Sequence, residues 1–367
     1  MRFFRGDIMA DINKARQEIN EIDGKMAELF CRRMDAVKEV GQYKKERGLP
    51  IFNFERERQV ISEGAKRIDS PDYRDYYVNF IEYVMELSKR YQSRLMDGMK
   101  IAYSGVEGAF SNIAAKKIFK NGIPLPYPDF KSAYEAVEKG ECDCAVLPIE
   151  NSYNGDVGQV MDLAFFGGLY IHQLREIEIV QNLIANSDAT LESIKEVKSH
   201  PQALGQCGEY IHRHGFKAVE AENTAIAAQE VAASGRTDVA AIGSELAAEK
   251  YGLKVVDAHI NESGTNTTRF AVFSKLEKLP SKNDDHFVMV FTVRNEAGAL
   301  GEAINIIGRH GFNLSSLKSR PTKKLIWTYY FFAEGDGNIE SPEGKEMLSE
   351  LAGCCSDLKV LGSFSRE

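Results

Sequence analysis

The sequence predicts a multidomain chain of three successive units: an all-α segment over residues 10–96, a two-lobed α/β segment over 99–280 and a small α+β segment over 285–367. Three observations predict this order. Near the start, apolar residues recur at alternating spacings of three and four over about four heptads. Through the middle, short apolar runs alternate with helical stretches. The final segment reads strand, helix, strand, strand, helix, strand. Length agrees, since 367 residues at roughly 150 per domain give two or three domains.

In the first segment the apolar positions are Ile12, Ala15, Ile19, Ile22, Met26, Leu29, Ala36, Val40 and Tyr43, which predict one long helix with a packing seam. Gly48-Leu49-Pro50 ends it. Asn53 caps a second helix through about Arg67, and Ser70-Pro71 opens a third, striped by Tyr77, Ile81, Val84, Ser88, Tyr91 and Leu95. Counted by sevens from Ile12, the seam lands on Arg33, while Ser88 and Gln92 interrupt the third stripe. An arginine there either snorkels to solvent or lines an anion pocket within the bundle, because an unpaired buried guanidinium is costly. Arg16 and Lys44 are 28 residues apart, or about 42 Å along a helix. One small ligand cannot touch both from one helix. An antiparallel partner helix would bring Arg16 of one chain near Arg33 and Lys44 of another, so a dimer with shared sites is expected.

These residues resemble the all-helical chorismate mutase family at Arg16, Arg33, Gly41, Lys44, Arg56-Glu57, Ser88 and Gln92. The resemblance implies a domain-swapped dimer that rearranges chorismate to prephenate, a pericyclic step needing no nucleophile and no cofactor. Catalysis there consists of holding the reactive conformer and stabilising charge on the breaking ether oxygen. By resemblance, Arg16 from the partner chain and Arg33 clamp the carboxylates, with Arg56 in support and Ser88 among the binding residues. Lys44 and Gln92 donate to the ether oxygen, and Glu57 holds the ring hydroxyl. Asn53 stands where a bacterial relative has Asp and keeps an acceptor oxygen, which implies a tuned site.

The middle segment places strands at Met99–Tyr103, Cys144–Ile149, Val239–Ile242 and Phe270–Phe273, with helices at Ala109–Phe119, Ser132–Lys139 and Ala225–Ala233. Asp143-Cys-Ala-Val-Leu-Pro148 is echoed by Asp238-Val-Ala-Ala-Ile-Gly243, as two similar lobes around a cleft would require. No GxGxxG follows a strand and no GxxxxGK[ST] occurs, which argues against nicotinamide and nucleotide chemistry. His212 and His214 lack metal-site partners, and His200 before proline reads as a loop residue. Neither cofactor nor metal is expected. Small polar residues gather at strand ends and helix starts: Ser104, Ser111-Asn112, Asn151-Ser152, Ser199, Asn223-Thr224 and Thr265–Thr268. Singly each reads as a helix cap; as a set they suggest hydroxyls and backbone N–H groups converging on an anion.

Three strings, Val146-Leu-Pro-Ile-Glu-Asn-Ser152, Ser199-His-Pro-Gln-Ala-Leu204 and Thr267-Thr-Arg-Phe270, resemble prephenate dehydratase. Tyr103-Ser-Gly-Val-Glu-Gly-Ala-Phe-Ser111 resembles its opening motif, with Ala109 in place of the usual Thr. The resemblance implies a two-lobed, periplasmic-binding-protein-like fold that expels the ring hydroxyl and carbon dioxide from prephenate, leaving phenylpyruvate. It implies Thr268 as the donor at the leaving hydroxyl, and Glu150, Asn151 and Gln202 as catalytic-site residues. Ser111, Ser199, Thr224 and Arg269 are expected at the substrate, although Arg269 also suits pairing with a structural carboxylate. Acid work by Glu150 would require its pKa to be raised by burial.

The last segment orders a strand at Phe287–Val293, a helix at Leu300–Arg309, strands at Leu314–Leu317 and Leu325–Phe332, a helix at Pro342–Leu351 and a strand at Lys359–Phe364. That βαββαβ order is ferredoxin-like. Glu296-Ala-Gly-Ala-Leu300 and Lys318-Ser-Arg-Pro321 resemble the amino-acid-sensing ACT domain, with Lys318 where that family carries Glu. The resemblance implies phenylalanine bound at a dimer interface through Gly298, Ala299, Leu300, Ser319 and Arg320, shutting the enzyme down.

Composition bounds the rest. Hydrophobic residues make up 43% and charged residues 27%, which excludes wholesale disorder. The net charge of −8 argues against general nucleic-acid binding. Residues 1–96 hold 19 basic and 17 acidic side chains, against 27 and 37 in the remainder, and only five of 30 glycines precede residue 97. Both shifts mark a boundary near Asp97-Gly98. The cysteines Cys31, Cys142, Cys144, Cys207, Cys354 and Cys355 form no CxxC, so reduced thiols in a cytosolic protein are expected. Met1-Arg-Phe-Phe-Arg5 leads into Gly6-Asp7 rather than an apolar run, which does not read as a signal peptide. No run approaches the ~20 apolar residues of a membrane span. The whole reads as a homodimeric or larger bifunctional chorismate mutase–prephenate dehydratase with a phenylalanine sensor. The alternative is a mutase fused to a non-catalytic ligand-binding module.

Overall fold

The computed structural model describes residues 4–51, 53–262, 266–278, 281–322 and 328–365, with side chains from residue 12 onward except Phe54. Thr265 and the first residues of the strand expected from Leu325 lie outside these. The chain divides into two compact units, Met1–Gly98 and Met99–Glu367. Among the described residues no helix is long and apolar enough to cross a membrane.

The first unit is three helices: α1 (Phe4–Arg47), α2 (Phe54–Lys66) and α3 (Pro71–Asp97). Gly48, at a φ of 61°, follows the end of α1, as left-handed glycines do at helix ends. Asn53 caps α2, its side chain accepting from Arg56 N at 2.9 Å. The C-terminal part of α1 lies along α3. Gly41 permits that approach, because a Cβ there would stand 3.2 Å from Gln92 Cγ. Further toward the N-terminus of α1, Ile12, Ile19, Ile22, Met26 and Leu29 are all exposed in the single chain.

The second unit holds three sheets. The first is built from β1 (Lys100–Ser104), α4 (Phe110–Ile118), β2 (Ile123–Tyr127), α5 (Phe130–Glu138), β3 (Cys144–Asn151), the short β4 (Gly155–Asp156), α6 (Gly158–Phe166) and β5 (Tyr170–Glu178). The chain crosses to a second lobe comprising β6 (Asn182–Ala185), β7 (Glu196–Ser199), α7 (Pro201–Gln206), α8 (Gly208–His214), β8 (Lys217–Glu220), α9 (Thr224–Ser234), β9 (Val239–Gly243), α10 (Glu245–Tyr251) and β10 (Lys254–Asp257). It then returns as β11 (Thr267–Ser274), which inserts antiparallel between β3 and β5. Strand orders are β2-β1-β3-β11-β5 and β10-β6-β9-β7-β8. Each lobe has a parallel core of three strands, as βαβ crossovers require. Two chain crossings join the lobes.

The third sheet, order β13-β14-β12-β15, comes from β12 (His286–Val293), α11 (Ala299–Arg309), β13 (Asn313–Pro321), β14 (Tyr329–Asp336), α12 (Pro342–Cys354) and β15 (Cys355–Phe364). Its βαββαβ order is the one read from the sequence, with β14 extending beyond Phe332 to Asp336. One face carries α11 and α12, whose Ile307 and Met347 share a core with Phe287, Met289 and Phe291 of the sheet. The other shares a core with the first lobe, in which Val288, Val290, Tyr330, Phe332 and Leu361 pack with Ile171, Ala271 and Phe273. Phe165 stacks on Tyr330 at 4.1 Å.

Charged groups ring this shared core. Arg269 on β11 donates to the Glu334 carboxylate on β14 at 2.6 and 3.2 Å and to Glu150 Oε2 on β3 at 3.1 Å. Lys318 on β13 donates to Glu150 Oε1 at 2.6 Å and also pairs with Asp156. Arg320 grips Asp162 with two hydrogen bonds at 2.8 and 3.0 Å, and Tyr330 OH donates to the same carboxylate at 2.7 Å. Burial alone would raise the Glu334 pKa, but His286 and Arg269 outweigh it and hold the group below the ordinary glutamate value. Burial likewise opposes the charge on Arg269, yet Glu334 and Glu150 leave it raised.

Two measurements check this docking. A Cβ at Gly362 would lie 1.9 Å from Ile171 O, so Gly362→Ala should destabilise the second unit by roughly 1–3 kcal/mol in denaturant unfolding. Glu334→Gln leaves Arg269 less well paired and should cost roughly 3 kcal/mol at pH 7. Because the folded pKa lies below the unfolded value of about 4.5, the charge stabilises above that pH. The deficit of the variant should therefore shrink as pH falls through the folded value, which thermal unfolding between pH 7 and 3.5 would show.

Candidate active sites

In the helical unit, the polar residues that broke the apolar stripes meet one another. Arg33 Nη1 donates to Ser88 Oγ at 2.5 Å, and Ser88 Oγ donates to Val84 O at 2.6 Å. Lys44 Nζ donates to Ile51 O at 2.6 Å and to Gln92 Oε1 at 3.3 Å. Ser88 and Gln92 are buried. Burial lowers the Arg33 pKa, the expected direction for a cation drawn into a bundle. Glu57 pairs with Lys89 at 3.2 Å. Arg16, Asn53 and Arg56 are exposed; the Asn53 oxygen serves the α2 cap, and Arg56 Nη1 donates to Gln59 at 2.8 Å. A single chain thus gathers Arg33, Ser88, Lys44 and Gln92 and leaves Arg16 outside that group.

In the second unit a cavity of about 480 Å³ opens between the lobes. Of the residues expected at the substrate, Ser111, Asn151, Gln202, Thr224 and Thr268 line it, together with Ser104, His200 and Asn223. No Lys or Arg is among its described lining residues. The N-termini of α4 and α9 both reach it, and such termini carry partial positive charge and free N–H groups suited to carboxylates. Ala109, at the cap of α4, contributes no side-chain bond there. Among the described lining residues an anion meets dipoles, hydroxyls and amides rather than fixed cations, with the Glu222 carboxylate also on the wall.

The centre of the cleft is the cross-strand pair of Asn151 and Thr268, directly opposite each other on β3 and β11. Asn151 Oδ1 accepts from Tyr153 N at 3.1 Å, Asn154 N at 3.0 Å and Asn154 Nδ2 at 3.0 Å. Two of these donors are backbone amides, which fixes the orientation of the side chain. Its Nδ2 must therefore face the other way, and it donates to Thr268 Oγ1 at 2.8 Å, to Asn266 Oδ1 at 2.9 Å and to Thr267 O at 3.2 Å. With a lone pair of Oγ1 occupied by an incoming N–H, the Thr268 hydroxyl is left to act as a donor.

Several expected residues lie elsewhere. Glu150 and Arg269 face the third sheet, bound to each other and to Lys318 and Glu334, because alternate residues of a strand point to opposite sides. Where Asn151 and Thr268 face the cleft, these strand neighbours face the other way: Glu150 lies away from the expected substrate position, and Arg269 makes the pairing with a structural carboxylate that its sequence context also suited. Ser199 is fully buried, its hydroxyl donating to Ile242 O at 2.6 Å inside the second lobe. Arg320, expected at an effector, is held by Asp162 on α6, whereas Ser319 is exposed. Gly298, at a φ of 88°, precedes the first turn of α11, where Ala299 and Leu300 are half-buried. Gly298 borders a groove of about 690 Å³ with Arg294, Glu302, Arg309 and Cys354.

Sequence reasoning passed over several polar cleft residues, among them Glu222, His200, Gln206 and Gln181. His200 accepts from Gln202 N at 3.2 Å and is the cap of α7. Gln206 lies one helical turn beyond Gln202, on the same face, a spacing that could have disclosed it. Gln181 has no such signal, since it lies in the crossing between lobes; it donates to Gln206 Oε1 at 3.1 Å, and its own oxygen is buried with no hydrogen-bond partner among the described residues.

Comparison with known proteins agrees with this geometry. The family model for chorismate mutase type II matches residues 15–93, and that for prephenate dehydratase matches residues 101–278. The bifunctional chorismate mutase/prephenate dehydratase of Aquifex aeolicus is 30% identical over 370 residues, covering 98% of this chain and 99% of that protein. Prephenate dehydratase from Arthrobacter aurescens, solved in complex with L-Phe, has a TM-score of 0.68 at 28% identity and covers 73% of this chain and 90% of that one. A structure described as a novel type of quorum quenching acylase, GqqA, gives the same TM-score and identity, covering 73% of this chain and 98% of its own. With both catalytic domains present in order, and a relative matched along nearly its whole length, the chain belongs to the bifunctional chorismate mutase/prephenate dehydratase family.

Proposed function

We propose that this chain rearranges chorismate to prephenate in a site shared between two copies of α1, and converts prephenate to phenylpyruvate in the cleft around Thr268. The observation that carries the second step is the Asn151–Thr268 hydrogen bond, which leaves the threonine hydroxyl to donate into the cleft.

In the mutase site, Arg33 and Lys44 supply positive charge from one chain, and Arg16 of a second chain completes the clamp. Exposed Ile12, Ile19 and Ile22 near Arg16 are the kind of surface an antiparallel partner helix would cover. Gln92 and Lys44 are close enough to share one acceptor, the ether oxygen on which charge develops. Glu57, half-buried on α2, is assigned to the ring hydroxyl.

In the dehydratase cleft, Ser111 and Thr224 at two helix N-termini, with Gln202, bind the substrate carboxylates. The ring C–O bond breaks with its electron pair passing to oxygen, which takes up one proton and leaves as water. The ring carboxylate departs as carbon dioxide, and the electron pair of its C–C bond completes the aromatic ring. Thr268 donates at the departing oxygen. Glu150, Arg269 and Ser199 take no part in contacting substrate. The third sheet is assigned as an ACT-type sensor. Phenylalanine is its proposed effector, supported by the L-Phe complex of the Arthrobacter relative and by Gly298 at the start of α11.

Incubating the purified protein with chorismate, and quantifying products by mass, tests the scheme. Both prephenate and phenylpyruvate should form, and added phenylalanine should suppress the second. Thr268→Ala should lower dehydratase kcat by roughly 10²–10⁴-fold while mutase turnover stays intact; unchanged phenylpyruvate production would refute the assignment. Arg16→Ala and Lys44→Ala chains, each inactive as mutase, should regain part of the activity when mixed. Confirmed heterodimers without recovery would rule out shared sites.

A further inference from the structure

We propose that Lys318 and Arg269 are positioning residues for dehydration, holding Asn151 and Thr268 in register from the far side of their strands. Through them the third sheet forms a structural part of the dehydratase site.

Asn151 and Thr268 are cross-strand partners, and so are Glu150 and Arg269, one residue along each strand. The first pair faces the cleft and the second the third sheet. Each catalytic side chain is therefore one peptide unit from a charged side chain anchored outside its own sheet. Arg269 is fixed by Glu334, which is 1% exposed on β14, as well as by Glu150. Glu150 is held a second time by Lys318 from β13. Lys318 further ties Asp156 on β4, which pairs with Glu150 across the turn that follows Asn151. That turn contains Tyr153 and Asn154, whose N–H groups fix the orientation of Asn151.

The pairing of β3 and β11 shifts register between Arg269 and Phe270. At such an irregularity the strands are free to twist locally, and a backbone displacement there would swing the Thr268 hydroxyl. Two cations and three carboxylates from both sides of the junction resist that displacement. A lysine in place of glutamate at residue 318 puts a positive charge against Glu150 and Asp156, so in this chain the contact is attractive. A carboxylate at the same place would oppose both.

A merely structural role for Lys318 would alter stability and leave the kinetic parameters alone. In the full chain without phenylalanine, Lys318→Met should lower dehydratase kcat roughly tenfold with KM for prephenate within about twofold, since displaced catalytic groups lose rate more than binding. Lys318→Arg should restore at least half of kcat. Mutase turnover in the same preparations should be unchanged. Combined with Glu334→Gln, the loss in kcat should be clearly smaller than the product of the two single losses, because both act on the Glu150–Arg269 pair. An unchanged kcat in Lys318→Met, an equal loss in the Arg and Met variants, or multiplicative losses in the double variant would each overturn the proposal. It rests on the assignment of Thr268, whose failure is distinguishable: Thr268→Ala would then retain turnover whatever residue 318 is.

Discussion

The antiparallel pairing of β3 with β11 is the constraint on which the second unit depends. It sets Asn151 opposite Thr268 and Glu150 opposite Arg269. The two-residue period of a strand then sends these pairs to opposite sides. One side meets the cleft and the other meets a second domain. Neither can be adjusted alone, since a one-residue slip would place a charged pair in the cleft and leave the third sheet facing hydroxyl and amide groups. Return of the chain from the second lobe as β11 makes this possible, because the strand that closes the first sheet also carries Thr268 back to the hinge.

Among the described residues that line it, the cleft offers an anion no fixed cation. Its polar lining is made of helix starts, hydroxyls and amides with one carboxylate, Glu222, set among apolar residues such as Phe110, Phe130 and Phe270, and the chain as a whole is acidic. The half-buried cations Arg269 and Lys318 are engaged by Glu334, Glu150 and Asp156 at the domain junction. Charge serves the junction, where pairing is fixed, and dipoles serve the cleft, where the ligand comes and goes. In the helical unit the logic is reversed. Arg33 and Lys44 lie half-buried against α3, and the neutral partners Ser88 and Gln92 satisfy some of their donors without cancelling their charge. That is the arrangement expected where a dianion is the remaining partner.

Much was legible in the residues themselves. The three-and-four spacing gave α1, the polar interruptions at Arg33, Ser88 and Gln92 are the residues that meet across α1 and α3, and the βαββαβ order of the third sheet was readable throughout. These features follow from local periodicity, which a sequence states directly. The gathering of hydroxyl and amide residues at strand ends was likewise readable, and Ser111, Asn151, Thr224 and Thr268 do share one cavity.

Facing was not legible where both faces of a strand are covered. In β3 and β11 the residues on either side are polar near the cleft, so alternation distinguishes the two faces without saying which one meets the ligand. Glu150 and Arg269 were expected at the substrate from the motif resemblance, which does not state facing, although pairing of Arg269 with a structural carboxylate was also foreseen. Ser199 was expected there because a hydroxyl at a strand end looks the same whether it points to a cleft or to Ile242 O. Arg320 and Lys318 raise the same difficulty across domains, since their partners Asp162, Asp156 and Glu150 lie more than 150 residues away in the chain. The sequence by itself determined the order of elements, the chemistry available and the family. Only the tertiary structure decided which polar groups face the cleft and which hold the domains together, because that choice depends on what packs against each face.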